Sequence, residues 1–395
     1  MESRFYLNRR RFLAATGVIG AGMAVLGTPT LWAQDDAEER RPERPRTNID
    51  SVKDIPRTRW SIPGAYPGKV VKVHNPKALV EDTFNADVIS GMFTHGMEAL
   101  TGKSLAESFE LFIEPDDIVG IKVNPVGAGL ISTRLELVDA VVDWLEKGGL
   151  PRKNIVIWDR FNSMLQEAGF TTERYPGIRI VGLQEMFMPE RGEDAEKLFL
   201  NKKGEHKSIV NFNKDVYYWA DVEAPTDAQY LNQHVANGKE SYFGKLVTNE
   251  LTKIINLPVF KNTGNGISVA TKNLGYAAIC NTGRLHRPLF FDVCTEVVAF
   301  PAIRDKVVLN VTDGLRGQYD GGPGPNSQFV YDYNTMYFAT DPFASDMVCH
   351  NAIVEKRKQM KVDVNEHPRF TDYLRYGERL GLGIADVEKI SLVEA

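Results

Sequence analysis

Short β-branched runs alternate with amphipathic stretches along most of this chain, and no other feature narrows its fold so far. The runs are 69–74, 118–124, 154–159, 178–182, 254–260, 306–311 and 389–393, each bounded by Gly, Pro, Asn or Asp, which is how strands are punctuated. The clearest helix is predicted over 134–147. Thr133 and Glu136 spell a capping box, Leu135, Val138, Val141, Trp144 and Leu145 form one apolar face, and Gly148 and Pro151 stop it. Further helices are expected around 240–253, 291–300, 342–358 and 370–380. Strands separated by helices predict an α/β fold over residues 60–395, with a largely parallel or mixed sheet flanked by helices. The polar stretch 183–240, with aromatic residues at 216–219, reads as a loop-rich insertion that could serve a partner in an envelope complex.

The chain has 395 residues, 43% hydrophobic and 25% charged, which is enough apolar material for a sizeable core. Its formal charge of −5 argues against neutralising a nucleic-acid backbone, so no nucleic-acid partner is expected. Three Cys rule out a disulfide scaffold. Cys280, Cys294 and Cys349 fit no zinc or iron–sulfur spacing, although three thiolates and a fourth ligand could still meet in space. That leaves a metal ion or an iron–sulfur cluster open as a cofactor. No Gly-x-Ser-x-Gly elbow, His-Glu-x-x-His or Cys-x-x-Cys-His occurs, so serine-hydrolase, zincin and c-type haem readings lack support.

Residues 1–33 carry four Arg and one Glu ahead of an uncharged run from Leu13 to Ala33, the order of an export signal. Asn8-Arg9-Arg10-Arg11-Phe12-Leu13 resembles the twin-arginine signature, with Asn8 and Ala14 departing from its usual Ser and Lys. The resemblance implies passage of a folded protein through the twin-arginine translocation machinery into the periplasm or beyond. Cleavage is expected after Ala33, leaving no membrane span, since the apolar run is Gly- and Ala-rich and broken by Pro29. Removing residues 1–33 turns the formal charge from −5 to −8. Residues 34–59 are charged and hold three Pro, and read as a flexible tether.

Three units could carry chemistry. Lys122 and Asn124 share one face of the first, a strand running into Pro125 and then Ser132-Thr133. The carboxyl end of a parallel strand would put them where α/β folds bind ligands, while the bland alternative is a surface Lys and a turn Asn. The second unit repeats Lys-Asn-x-Gly at 261–264 and 272–275. Lys261, Lys272 and Asn273 beside Gly264 and Gly266 suit either an anion cradle or a Gly-Asn turn, and the spacing is not that of a P-loop. His286, between Arg284 and Arg287, could join the same anion site. The third unit, 312–325, is expected as a Gly/Pro loop in which Asp313 is a base, a metal ligand or an Asx-turn residue.

Taken in order, IKVNP…ST, LPVFKNTGNGISVATKNLGY, VTDGLRGQYDGGPGP and ATDPFASD resemble the domain of unknown function 362 family over roughly residues 69–355. The resemblance implies that Lys122 and Asn124 pair with Lys272 and Asn273, and adds Asp313-Gly314 and Asp346, an Asp on a later helix. Some relatives carry Cys-rich iron–sulfur modules; this chain has no Cys-x-x-Cys. The expectation is a crevice for an anionic small molecule, with Lys122, Lys272 and Asp313 as its catalytic groups. Asn124, Lys261, Asn273, His286 and Asp346 would be its ligand contacts.

Overall fold

The computed structural model describes residues 44–185, 201–202, 205–223 and 234–395; the expected export signal lies outside them. The strands are β1 (Lys69–His74), β2 (Leu79–Val80), β3 (Thr83–Phe84), β4 (Val119–Lys122), β5 (Ile155–Phe161), β6 (Arg179–Gln184), β7 (Phe212–Trp219) and β8 (Glu240–Gly244). They continue as β9 (Lys253–Asn256), β10 (Val259–Thr263), β11 (Gly266–Ile267), β12 (Val307–Gln318), β13 (Val330–Tyr331), β14 (Thr335–Ala339) and β15 (Ser391–Glu394).

Among the described residues, one large mixed sheet runs in the order β15-β1-β14-β12-β9-β4-β5-β6. From β12 to β6 every pairing is parallel, and β14 alone reverses direction along this path. Beside β12, β10 pairs parallel and β13 antiparallel. This is the α/β architecture that alternating strands and helices predict.

Both faces of the parallel strands are covered, which is why they read as near-continuous apolar runs. On one face Ile121, Ile157, Ile255 and Leu309 pack beneath helices Ala86–Thr101, Leu105–Phe112 and Leu135–Lys147. Trp144 sits there edge-on to Phe93 and Phe109, each at 5.9 Å. On the other face Val156, Trp158 and Ile254 meet helices Ala270–Ala278 and Asp292–Glu296 and the β7–β8 hairpin.

Several expectations change in detail. The capping box is not formed: Thr133 Oγ1 donates to Leu257 O at 2.8 Å, and the helix starts after Arg134. The expected strand 254–260 splits at Leu257-Pro258 into β9 and β10, because Pro cannot continue the ladder. The expected loop at 312–318 is instead the second half of β12. The expected helix over 240–253 is replaced by β8 and a π-turn at Leu246–Glu250, since Tyr242 and Phe243 pair with β7.

The tether expected over 34–59 is seated on the body from residue 44 onward. Arg44 reaches Asp292 at 2.7 Å and Glu296 at 2.5 Å, Thr47 bridges Ala220, and Ile49 and Val52 are buried. Two apolar side chains on one helical turn, with a buried carboxylate to meet the arginine, outweigh the charge around them. Of the expected insertion at 183–240, the described part is chiefly the hairpin, whose Phe243 ring lies 5.0 Å from Phe300.

Candidate functional site

The carboxyl ends of β4 and β9 lie side by side, level with Trp158 on β5 and with Asn310 in the first half of β12, and the polar residues collect there. Pleating sends Ile121 and Val123 into the core under Leu135–Lys147, so Lys122 turns to the opposite face. Its neighbours in register are Trp158 on β5 and Asn256 on β9. Lys122 is 0% exposed. Its Nζ donates to Asp159 Oδ1 and Val123 O, both at 2.5 Å, and to Asn273 Oδ1 at 2.9 Å. Burial lowers its pKa and the Asp159 carboxylate works against that. Three acceptors for three N–H groups make the shell of a charged ammonium.

Beyond Asn273 the polar chain runs on through the sheet. Asn273 Nδ2 donates to Asn256 Oδ1 at 2.8 Å, and Asn256 Nδ2 donates to Asn310 Oδ1 at 2.9 Å. Asn310 Nδ2 ends the chain on the carbonyl of Thr340 at 3.3 Å. Each buried amide is thereby satisfied, as burial without water requires.

Lys261 is placed differently. It lies on β10 and is 1% exposed. Its Nζ donates to Asn124 Oδ1 at 3.1 Å and comes within 3.5 Å of Val126 O. No carboxylate of the described residues pairs with it. Burial, with Lys272 and Lys122 nearby, pushes its pKa down to about 7 against the pull of Asp159.

Lys272, on helix Ala270–Ala278, is partly exposed. Its Nζ stands 3.5 Å from Ser268 Oγ and over the rings of Tyr276 and Phe290, at 5.5 and 5.2 Å. It too has no carboxylate partner among the described residues, and burial lowers its pKa. His286 packs on the same Tyr276 ring at 4.9 Å, and its Nδ1 donates to Thr282 O at 2.8 Å. Burial and the charge of Lys272 hold His286 down to about 3, so it is neutral and adds no charge.

The two expected acids stand apart from this group in what they do. Asp313 Oδ2 accepts from Arg134 N at 2.7 Å and Oδ1 from Leu315 N at 3.1 Å. It therefore caps Leu135–Lys147 from β12, the task that Thr133 was expected to perform. Asp346 accepts from Ala270 N, Thr271 N and Thr271 Oγ1 at 2.7, 3.0 and 2.5 Å, capping the helix that carries Lys272 and Asn273. Burial raises Asp313 to about 6 and Asp346 to about 7, against these donors. Both carboxyls are committed to backbone N–H groups, which favours a positioning role over the catalytic role expected of Asp313 and the contact role of Asp346.

The Gly-rich turn also has a plain task. β10 and β11 form a hairpin through Gly264 and Asn265, and Gly264 takes φ +55°, in the left-handed region. The turn reading of 264–266 therefore applies to the backbone, while the Lys261 side chain enters the lysine group. Cys280 and Cys294 are buried in one hydrophobic cluster and Cys349 in another. No group of three or more His, Cys, Asp or Glu among the described residues could hold a metal ion.

The strand ends thus gather Lys122, Asn124, Lys261, Lys272 and Asn273, with Asp159, Asn256 and Asn310 as members that sequence reasoning missed. A signal for the asparagines existed. Asn310 interrupts the apolar run of β12 and Asn256 ends β9 just before Leu-Pro, and Asn is disfavoured in strands unless its amide is paired. Arg160, next to Asp159, is also buried, with its Nε 3.3 Å from Gln184 Oε1. An open depression on the hairpin, lined by Ile209, Val210, Phe212 and Lys214, contains none of the candidate residues. No helix of the described residues is long and apolar enough to cross a membrane.

A family model described as Domain of unknown function (DUF362) matches residues 119–351. That span opens at β4 and closes inside helix Pro342–Gln359, so it contains every candidate side chain above. No curated protein matches the chain.

Proposed function

The chain belongs to the DUF362 family, and on that footing we propose that it is an exported protein whose lysine crevice takes a small organic anion. The carrying observation is the pair Lys261 and Lys272, basic groups at the strand ends with no carboxylate partner among the described residues. Lys272 as an ammonium lacks a counterion that an incoming carboxylate or phosphate would supply, while Lys261 escapes the cost of an unpaired buried charge by giving up its proton easily. Lys122 cannot play that part, because Asp159 already neutralises it.

Within this reading Lys272 meets the ligand first, since it is the partly exposed member of the three. Lys122 and Asn273 hold the base of the crevice rigid, and Asn124 fixes Lys261. A lysine close to neutral at physiological pH suits proton transfer, so Lys261 takes the acid–base role expected from the sequence of Lys122, Lys272 and Asp313. The delivery route rests on Arg9, Arg10, Phe12 and Leu13. The translocation machinery is then one partner and the anion the other, in the periplasm or outside the cell.

A thermal-shift screen of small mono- and dicarboxylates and phosphates tests the binding. A ligand at a hundred times its Kd should stabilise the protein by about 2.7 kcal/mol, and Lys272→Gln should abolish the response. An undiminished response in that variant would overturn the site. Replacing Arg9 and Arg10 by Lys should retain the protein in the cytoplasm; unchanged export would overturn the route.

A further inference from the structure

We infer that Lys261 is a nucleophilic amine that forms a Schiff base with a small carboxylate-bearing aldehyde or ketone, whose carboxylate Lys272 holds. The inference rests on the anion-binding reading above and names the substrate class and the reacting atom.

Hydrogen-bond counting carries it. An ammonium has three N–H donors and no lone pair, whereas a neutral amine has two donors and a lone pair free to attack. Around Lys122 the protein supplies three acceptors at 2.5–2.9 Å, one of them a carboxylate. Around Lys261 it supplies Asn124 Oδ1 at 3.1 Å and a distant carbonyl at 3.5 Å. At 1% exposure the amine is shielded from bulk solvent. The second socket therefore fits the neutral amine, and the basic neighbours Lys122 and Lys272 favour that form further. Desolvation beside another cation is a known way to activate a lysine towards carbonyls.

Ser268 ties the two chain segments together: its N–H donates to the backbone carbonyl of Lys261 at 2.9 Å, and its Oγ is the 3.5 Å neighbour of Lys272 Nζ. A substrate whose carboxylate rests on Lys272 would direct its carbonyl carbon inward to Lys261. The step balances without an oxidant or reductant. The Lys261 lone pair forms the C–N bond and the carbonyl π pair moves to oxygen. The nitrogen loses its protons to that oxygen, with the Lys272 ammonium as relay, and water leaves as the C=N bond forms.

Glyoxylate is the smallest anionic aldehyde, and cyanoborohydride reduction converts its imine into a stable carboxymethyl-lysine. With the full-length chain at pH 7.5, peptide mapping should show Lys261 modified at least about tenfold faster than the exposed Lys103 and Lys147, because an ordinary lysine is almost wholly protonated there. Lys272→Gln should slow that modification. Labelling of Lys261 no faster than the surface lysines would overturn the inference. Oxalate, a carboxylate with no reactive carbonyl, separates the two ideas. Stabilisation by oxalate that Lys272→Gln removes, without fast labelling, would leave the anion site standing and the Schiff base refuted. Absence of both would refute the two together.

Discussion

Lys122 and Lys261 have the same side chain, the same near-complete burial and places in one sheet, yet their sockets ask for different protonation states. The first offers a carboxylate and two more oxygens at short range; the second offers one amide oxygen and little else. A lysine buried with a full set of acceptors is a structural cation. A lysine buried without one is held ready for something that arrives. Where each sits follows from the backbone: Lys122 ends a strand flanked on both sides, while Lys261 lies on β10, which Pro258 has shifted off the main path.

Removing the two amines should therefore have unequal consequences. Lys122→Met strips Asp159 of its partner and leaves a buried carboxylate uncompensated, a loss of about 3–5 kcal/mol in denaturant unfolding. Equal losses from Lys122→Met and Lys261→Met would break the comparison. A middle effect belongs to Asp346→Asn, which weakens the cap of Ala270–Ala278 and should cost about 1–2 kcal/mol. Because Asn273 on that helix serves Lys122, the same variant should loosen the first socket more than the second, visible as faster amide exchange at 270–273.

Acidity sharpens the contrast. Asp346 has its folded pKa raised to about 7, so its contribution is full below the unfolded value near 4 and is lost as pH rises through 7. Lys261 is lowered to about 7, so its contribution is full above the unfolded value near 10.4 and is lost as pH falls through 7. Stability of the native protein relative to Lys261→Met should consequently decline from about pH 10 to pH 7, and a flat difference would contradict the assignment. The smallest effect should be that of Lys261→Met itself near pH 7, within about 1 kcal/mol of the native protein, since a poorly partnered amine is exchanged for an apolar chain of similar length.

Much of the architecture was legible because strand periodicity and helix faces are local signals. β1, β4, β5 and helix Pro342–Gln359 lie where the apolar pattern places them, to within a few residues. The failures have a common cause. Residues 240–244 form a strand only because β7 is there to pair with, and Arg134 begins a helix capped by an Asp on β12. Neither partner is near in sequence. The lysines and asparagines were readable as types in strand-end motifs, but their division of labour was not. Asp159 decides which lysine is neutralised, and nothing in the spacing from residue 122 to 159 announces that pairing.

The central claim is that Lys261 is neutral, or nearly so, at the pH where Lys122 remains an ammonium. Heteronuclear NMR of protein labelled with 13C at lysine Cε, with the Lys261 resonance assigned by its disappearance in Lys261→Met, measures this directly. The account predicts a titration midpoint near 7 for that resonance, with the Lys122 signal still at the charged position there. A Lys261 resonance that titrates together with the surface lysines would contradict it.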